Sequence, residues 1–396
     1  MKVYTANMEI GLMAMTIGLS MASCVDPFVA ESVDFNSAIV IEATITDENK
    51  KQEILLSRTF ALDTTGIYGE RGAEVKVTDT NGTVYSFLEA EEGSYISNVS
   101  FAAQAGLGYT LSVITNDGST YSSDEVIAPQ PTQIDRLYAE RDFKDGEVNE
   151  GLFIYVDSEE PTGSNNYYRY EYEETYKIIA PYWHPNELYV DPSTGLVSDK
   201  PRLREEQVCY NTILSTSINQ LSTQGFNENK ISKFPIRFIE KENYILTHRY
   251  SILVKQLIQS RQSYKYYETL KSLSDSECLF SQIQTGFLEG NIKSNNRGQV
   301  IGFFDVSAVS KTRMYLAYND FYPCERIPNY LTDCQLFSVE LIPANIEFDS
   351  EEMFDYYDPI LNPLNFDAPG DYLLTFNACS DCTVFGSNVK PDFWVD

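Results

Sequence analysis

Histidine and tryptophan are scarce in this sequence, with two of each in 396 residues. Histidine is the usual proton carrier near neutral pH, so His184 and His248 are the only candidates for that role. Positive charge is short as well: 29 Lys+Arg stand against 58 Asp+Glu, a net charge of -29. A nucleic-acid binder needs a basic footprint to displace counterions from phosphates, and this chain would repel a polyanion. Anionic headgroups would repel it too. No apolar run is long enough to span a bilayer as a helix. What the chain does have is a hydrophobic fraction of 43%, with 28 Tyr and 22 Phe, enough to build cores and argue against disorder. The length suggests two or three domains.

The first 23 residues have the pattern of a lipoprotein signal peptide. Lys2 supplies a short positive region, with Glu9 close behind it, and Ile10–Ser20 is apolar but short. Met21-Ala22-Ser23-Cys24 then places small residues ahead of a cysteine, as in the bacterial lipobox. Cleavage before Cys24 and acylation of its thiol and new amino group are expected, because more than one chain is needed for stable anchoring. Residues 24–36 would form a polar tether, leaving a soluble body held to the membrane by lipid alone.

Six cysteines remain: Cys209, Cys278, Cys324, Cys334, Cys379 and Cys382. In an exported chain an even number suggests disulfides, whose connectivity stays open at this point. Cys379-Ser-Asp-Cys382 has thioredoxin-like spacing, but too little chain follows it for the βαβ unit that motif needs. A structural zinc on Cys324, Cys334, Cys379 and Cys382 has tolerable spacing. Disulfide staples are the preferred reading, with Cys379 and Cys382 each bonded to a distant partner. No metal and no cofactor are expected.

The fold class reads as mainly β. Strand-like runs occur at 38–46, 53–58, 73–79, 83–89, 94–98, 109–115 and 120–127, and Val75 and Val77 alternate with polar residues. Asn81-Gly82 and Asp117-Gly118 are strong hairpin signals. These features predict an immunoglobulin-like β-sandwich over 37–129, with Tyr109 a candidate corner tyrosine. Ala128-Pro-Gln-Pro131 reads as a linker. A second β-rich, sandwich-like domain is expected over 130–345, with strands at 152–157, 167–180, 208–214, 234–240, 250–258, 299–306 and 313–318. It carries a polar insert at about 181–206. A helix is expected at about 262–273, capped by Ser260, with Tyr264, Tyr267, Leu270 and Leu273 on one face. Residues 346–396 read as an irregular, disulfide-stapled segment.

No phosphate-cradling loop, G-x-S-x-G elbow or H-E-x-x-H occurs, so no catalytic residue is assigned. His248, within Tyr244–Tyr250, reads as a structural sheet position. Tyr182-Trp183-His184 lies on an expected loop, where it would either contact a partner or ligand or fold back on its own domain. The acidic cluster Glu347, Asp349, Glu351, Glu352, Asp355 and Asp358 lacks EF-hand spacing and reads as a solvated loop.

Several segments together resemble a family of Bacteroidetes outer-membrane lipoproteins known as a domain of unknown function. They are Val208-Cys-Tyr210, Lys233-Phe-Pro-Ile-Arg-Phe238, His248-Arg-Tyr-Ser-Ile-Leu-Val-Lys-Gln256, Tyr267-Glu-Thr-Leu-Lys271, Phe287-Leu-Glu-Gly-Asn291, Val300-Ile-Gly-Phe-Phe-Asp-Val306, Thr332-Asp-Cys334 and the run Cys379–Trp394. Members are typically encoded beside SusC-type TonB-dependent receptors. The resemblance implies an outer-membrane, cell-surface lipoprotein, a partner or lid of such a transporter. It further implies that Cys278 and Cys324 are an additional pair, leaving Cys209 and Cys334 for Cys379 and Cys382. It carries no catalytic residues and names no nutrient. A carboxylate-based surface hydrolase and an adhesin-like structural protein are the rival expectations.

Overall fold

A computed structural model describes residues 37–60, 68–144, 149–160, 167–190, 197–226, 229–274, 288–295, 298–340, 357–360 and 371–396. Cys24, the signal peptide, the tether, Cys278 and Glu347, Asp349, Glu351, Glu352 and Asp355 of the acidic cluster lie outside the described residues. The chain divides into a small unit of residues 1–37 and 60–65, almost wholly outside the described set, and a large unit of 38–59 and 66–396.

Its first part contains β1 (Ile39–Thr46), β2 (Glu53–Arg58), β3 (Tyr68–Gly69), β4 (Glu74–Asp79), β5 (Val84–Glu91), β6 (Ser94–Ser97), β7 (Gly108–Ile114), β8 (Thr120–Ser123) and β9 (Val126–Ile127). Then come β10 (Arg136–Phe143), β11 (Glu150–Glu159), β12 (Tyr167–Ile179), β13 (Asn186–Val190), β14 (Val197–Pro201), β15 (Val208–Leu214), β16 (Asn219–Ser222), β17 (Lys230–Glu240) and β18 (Arg249–Ile258). Helix α1 (Arg261–Ser274) follows, then β19 (Ile292–Ser294), β20 (Val300–Ala317), β21 (Phe337–Glu340), β22 (Tyr357–Ile360) and β23 (Asp371–Phe376). The fold is mainly β, built on a mixed sheet of 15 strands with smaller sheets beside it.

The first core gathers Ile39, Ile41 and Ile45 of β1 with Val75, Val77, Tyr109, Leu111 and Val113. Alternation drives it: in β4 the valines are buried while the residues between them are not. Both hairpin signals form turns as expected. Gly82 and Gly118 take positive φ, and Asp79 and Asp117 accept backbone N–H groups across them. Tyr109 is fully buried, and its hydroxyl accepts the Gln104 N–H at 2.8 Å, five residues upstream.

The second core lies between the large sheet and the three-stranded sheet β10-β11-β17. Leu152, Ile154, Val156, Ile236 and Ile239 meet Tyr168, Tyr170, Ile252 and Val254. Each fully buried large apolar side chain contributes roughly 1.5–3 kcal/mol. Strand β20 serves both cores: Phe304 and Val306 enter the first, Ala308 and Leu316 the second. It runs parallel to β1 and antiparallel to β18. Sequence reading split it at 306–313, because Ser307, Ser310, Lys311 and Thr312 interrupt its apolar pattern. The β1–β20 pairing carries the sheet past Ala128–Pro131, and Ala128 itself is buried in the first core.

Two features differ from expectation. Tyr244–Leu246 is a 3₁₀ turn and not strand, because the Asn243 side chain accepts the Ile245 N–H and closes the turn. The C-terminal segment is more ordered in its pairing than expected: β23 pairs with both β21 and β22. Disulfides Cys209–Cys382 and Cys334–Cys379 staple it, so Cys379 and Cys382 each reach a distant partner. Cys324 is exposed and in neither bond. Beyond the staples, Ser387 bridges to Tyr210, and buried Trp394 packs edge-on against the Tyr210 ring.

Candidate functional site

Strand β12 has two chemical faces. Tyr168 and Tyr170 are fully buried in the second core, so Arg169 and Glu171 project from the opposite face. Helix α1 lies over that face. Ser260 Oγ accepts the Ser263 N–H at 3.0 Å, starting the helix where sequence placed its cap. Its inner side is broader than the expected stripe: Ser263 is buried, and Tyr266 packs on Phe303 at 5.3 Å while Tyr264 packs on Tyr167 at 5.2 Å. Tyr267 lies beneath Arg169, whose Cζ is 4.2 Å from the ring centroid.

A cavity of about 840 Å³ opens beside this stack. Glu42 and Thr44 of β1, Arg169 and Glu171, Tyr267, and the Ser215–Ile218 segment line it. Lys50, Lys51 and Glu53 are exposed charges along it, and Leu55 and Leu214 are exposed apolar groups. Arg169 is the exception among the charged lining residues, at 6% exposure. Its Nη2 contacts Glu171 Oε1 at 3.2 Å, and Glu171 is 46% exposed. The Arg169 Nε–H is buried and has no acceptor among the described residues.

A carboxylate deeper in the fold balances the guanidinium. Asp305 is fully buried; Ser263 Oγ donates to it at 2.8 Å, Ser307 Oγ at 3.1 Å and Val306 N at 3.0 Å. Burial pushes the Asp305 carboxyl up, with the Arg169 charge and these donors pulling against it. Burial disfavours the Arg169 charge, but Tyr267, Glu171 and Asp305 outweigh that and leave its pKa raised. The arrangement holds a fixed, desolvated cation beside a solvent-open space. It is suited to binding, because a guanidinium neither gives up its proton nor attacks a substrate. Another buried carboxylate, Glu174, is engaged by Arg237 at 3.1 Å and the Tyr250 hydroxyl at 2.8 Å.

The loop residues singled out from sequence lie elsewhere. Trp183 packs against the second core, the Tyr182 N–H donates to the Cys379 carbonyl at 2.9 Å, and His184 Nδ1 accepts the Asn186 N–H at 3.1 Å. All three are half-buried. His248 is half-buried just before β18, and burial followed by the Lys177 charge lowers its pKa. Sequence reading missed Arg169. Its signal was a cation standing between two tyrosines whose alternation sends them to the core.

Residues 25–313 match the family model described as a domain of unknown function, DUF4249. No curated protein matches the chain.

Proposed function

We propose, for a chain that belongs to the DUF4249 family, the function of a lipid-anchored accessory protein of the outer membrane that binds a nutrient and docks on a SusC-type TonB-dependent receptor. The observation that carries the binding reading is the cavity with a desolvated guanidinium at its wall. Burying a cation is costly unless it is paired, and Arg169 keeps one donor without an acceptor among the described residues. The lipobox at Cys24 supports the anchor, and the acidic surface suits a body held beside anionic lipid without adhering to it. An immunoglobulin-like reading of the first core is supported by the Tyr109–Gln104 bond, which has the form of a tyrosine corner. Fractionation tests the anchor. The intact protein should stay with outer membrane, while Cys24→Ala should leave it unacylated and released; identical processing and retention of the variant would refute the anchor.

A further inference from the structure

We propose that the cavity is a carboxylate-binding site anchored by Arg169; this rests on the cavity being the ligand site of the accessory protein. The Nε and Nη2 hydrogens of a guanidinium form a planar fork that fits the two oxygens of a carboxylate. In this structure the fork is half used. Glu171 offers one oxygen to Nη2, while Nε has no acceptor among the described residues. Stacking on Tyr267 fixes the guanidinium plane, and Asp305 contributes a favourable charge from within the fold. Glu171, with its side chain 46% exposed, can swing into water at little cost and yield Nη2 to an incoming carboxylate that satisfies both hydrogens. Lys50 and Lys51 line the same cavity and supply further positive charge, while Leu55 and Leu214 offer contact to the apolar part of a ligand. Inorganic phosphate suits the site less well. A single fork flanked by Glu42, Glu53 and Glu171 compensates one negative charge better than two on the same group, whereas the second carboxylate of a dicarboxylate lies apart from the fork, in a cavity that Lys50 and Lys51 also line.

Titration calorimetry on the detergent-solubilised full chain provides the test, with glutarate as probe, glutaramide as its neutral counterpart and inorganic phosphate as the competing anion. Saturable glutarate binding is expected, with roughly tenfold or greater loss in Arg169→Gln and partial retention in Arg169→Lys. Glu171→Gln provides a second reading that does not depend on altering a buried residue. Removing the competitor for Nη2 should tighten glutarate about threefold or more. Equal binding of glutaramide, stronger binding of phosphate, unchanged affinity in Arg169→Gln, weakened affinity in Glu171→Gln, or no saturation by about 10 mM glutarate would each overturn the proposal. Receptor co-purification is scored separately on the same variants. Its loss in the intact protein counts against the accessory role, whereas failure of glutarate binding alone counts against the ligand class.

Discussion

Removing the Cys209–Cys382 bond by Cys209→Ala and Cys382→Ala should be the most destabilising single cross-link deletion in the molecule's described part. The bond closes 173 residues, and Cys334–Cys379 closes 45. Chain-entropy arithmetic gives about 5 kcal/mol for the longer loop and about 4 kcal/mol for the shorter. The second bond shortens the longer loop only modestly, and the logarithmic dependence leaves its figure near 5 kcal/mol. Local packing enlarges the difference. Cys209 and Cys382 are both fully buried in the second core, next to the Ser387–Tyr210 bridge and the Trp394 ring that seat the tail. Alanine also leaves a small void there, at a cost of about 1 kcal/mol. Measured losses for native disulfides run at about 2–5 kcal/mol, so a loss in the upper half of that range is expected. Denaturant unfolding at equilibrium, followed by tyrosine and tryptophan fluorescence, reads the difference. A loss below about 1 kcal/mol, or a larger loss from the Cys334→Ala, Cys379→Ala pair, would refute the reasoning.

Gly302→Ala should destabilise strongly, because a Cβ there would lie 2.1 Å from the Ile41 carbonyl oxygen at the β1–β20 pairing, with φ at +147°. Gly82→Ala meets nothing within 4 Å and should cost only its left-handed backbone, about 1–2 kcal/mol; equal losses by chemical unfolding would contradict the crowding. Asp305 contributes to a pH dependence of known sign. Its folded pKa lies above 3.8, so the native state binds the proton more tightly, and its contribution to stability falls as pH rises from 3.8 through the raised value. Asp305→Asn, facing Arg169, Ser263 and Ser307, should remove that slope, so the stability of the wild-type protein relative to the variant should fall across the window as pH rises. Parallel curves would show that Asp305 titrates as in the unfolded chain.

Local chemistry was readable from sequence where one residue decides the geometry. Gly82, Gly118 and the Ser260 cap each act through their immediate neighbours, so the turns and α1 fall where expected. The strands of the first core were readable because Val75, Val77, Leu111 and Val113 alternate with polar residues. The β1–β20 pairing was not, since it joins residues about 260 positions apart and leaves no periodic trace in either strand. Arg169 was missed for a related reason. Alternation told which face it takes, but the cavity exists only because α1, β1 and the Ser215–Ile218 segment converge on that face. Tyr182-Trp183-His184 drew notice as aromatic loop residues, and what sequence left undecided was the docking of Trp183 onto the second core. The pairing of Cys209 and Cys334 with the C-terminal cysteines came from resemblance, because spacing alone does not choose among connectivities.

The central claim is that this chain works in company with a transporter. Affinity capture of the tagged protein from native outer membrane, in mild detergent with and without crosslinker, addresses it most directly. A TonB-dependent receptor recovered in near-stoichiometric amount is the expected result. Repeated recovery of the protein alone, crosslinked or not, would contradict it.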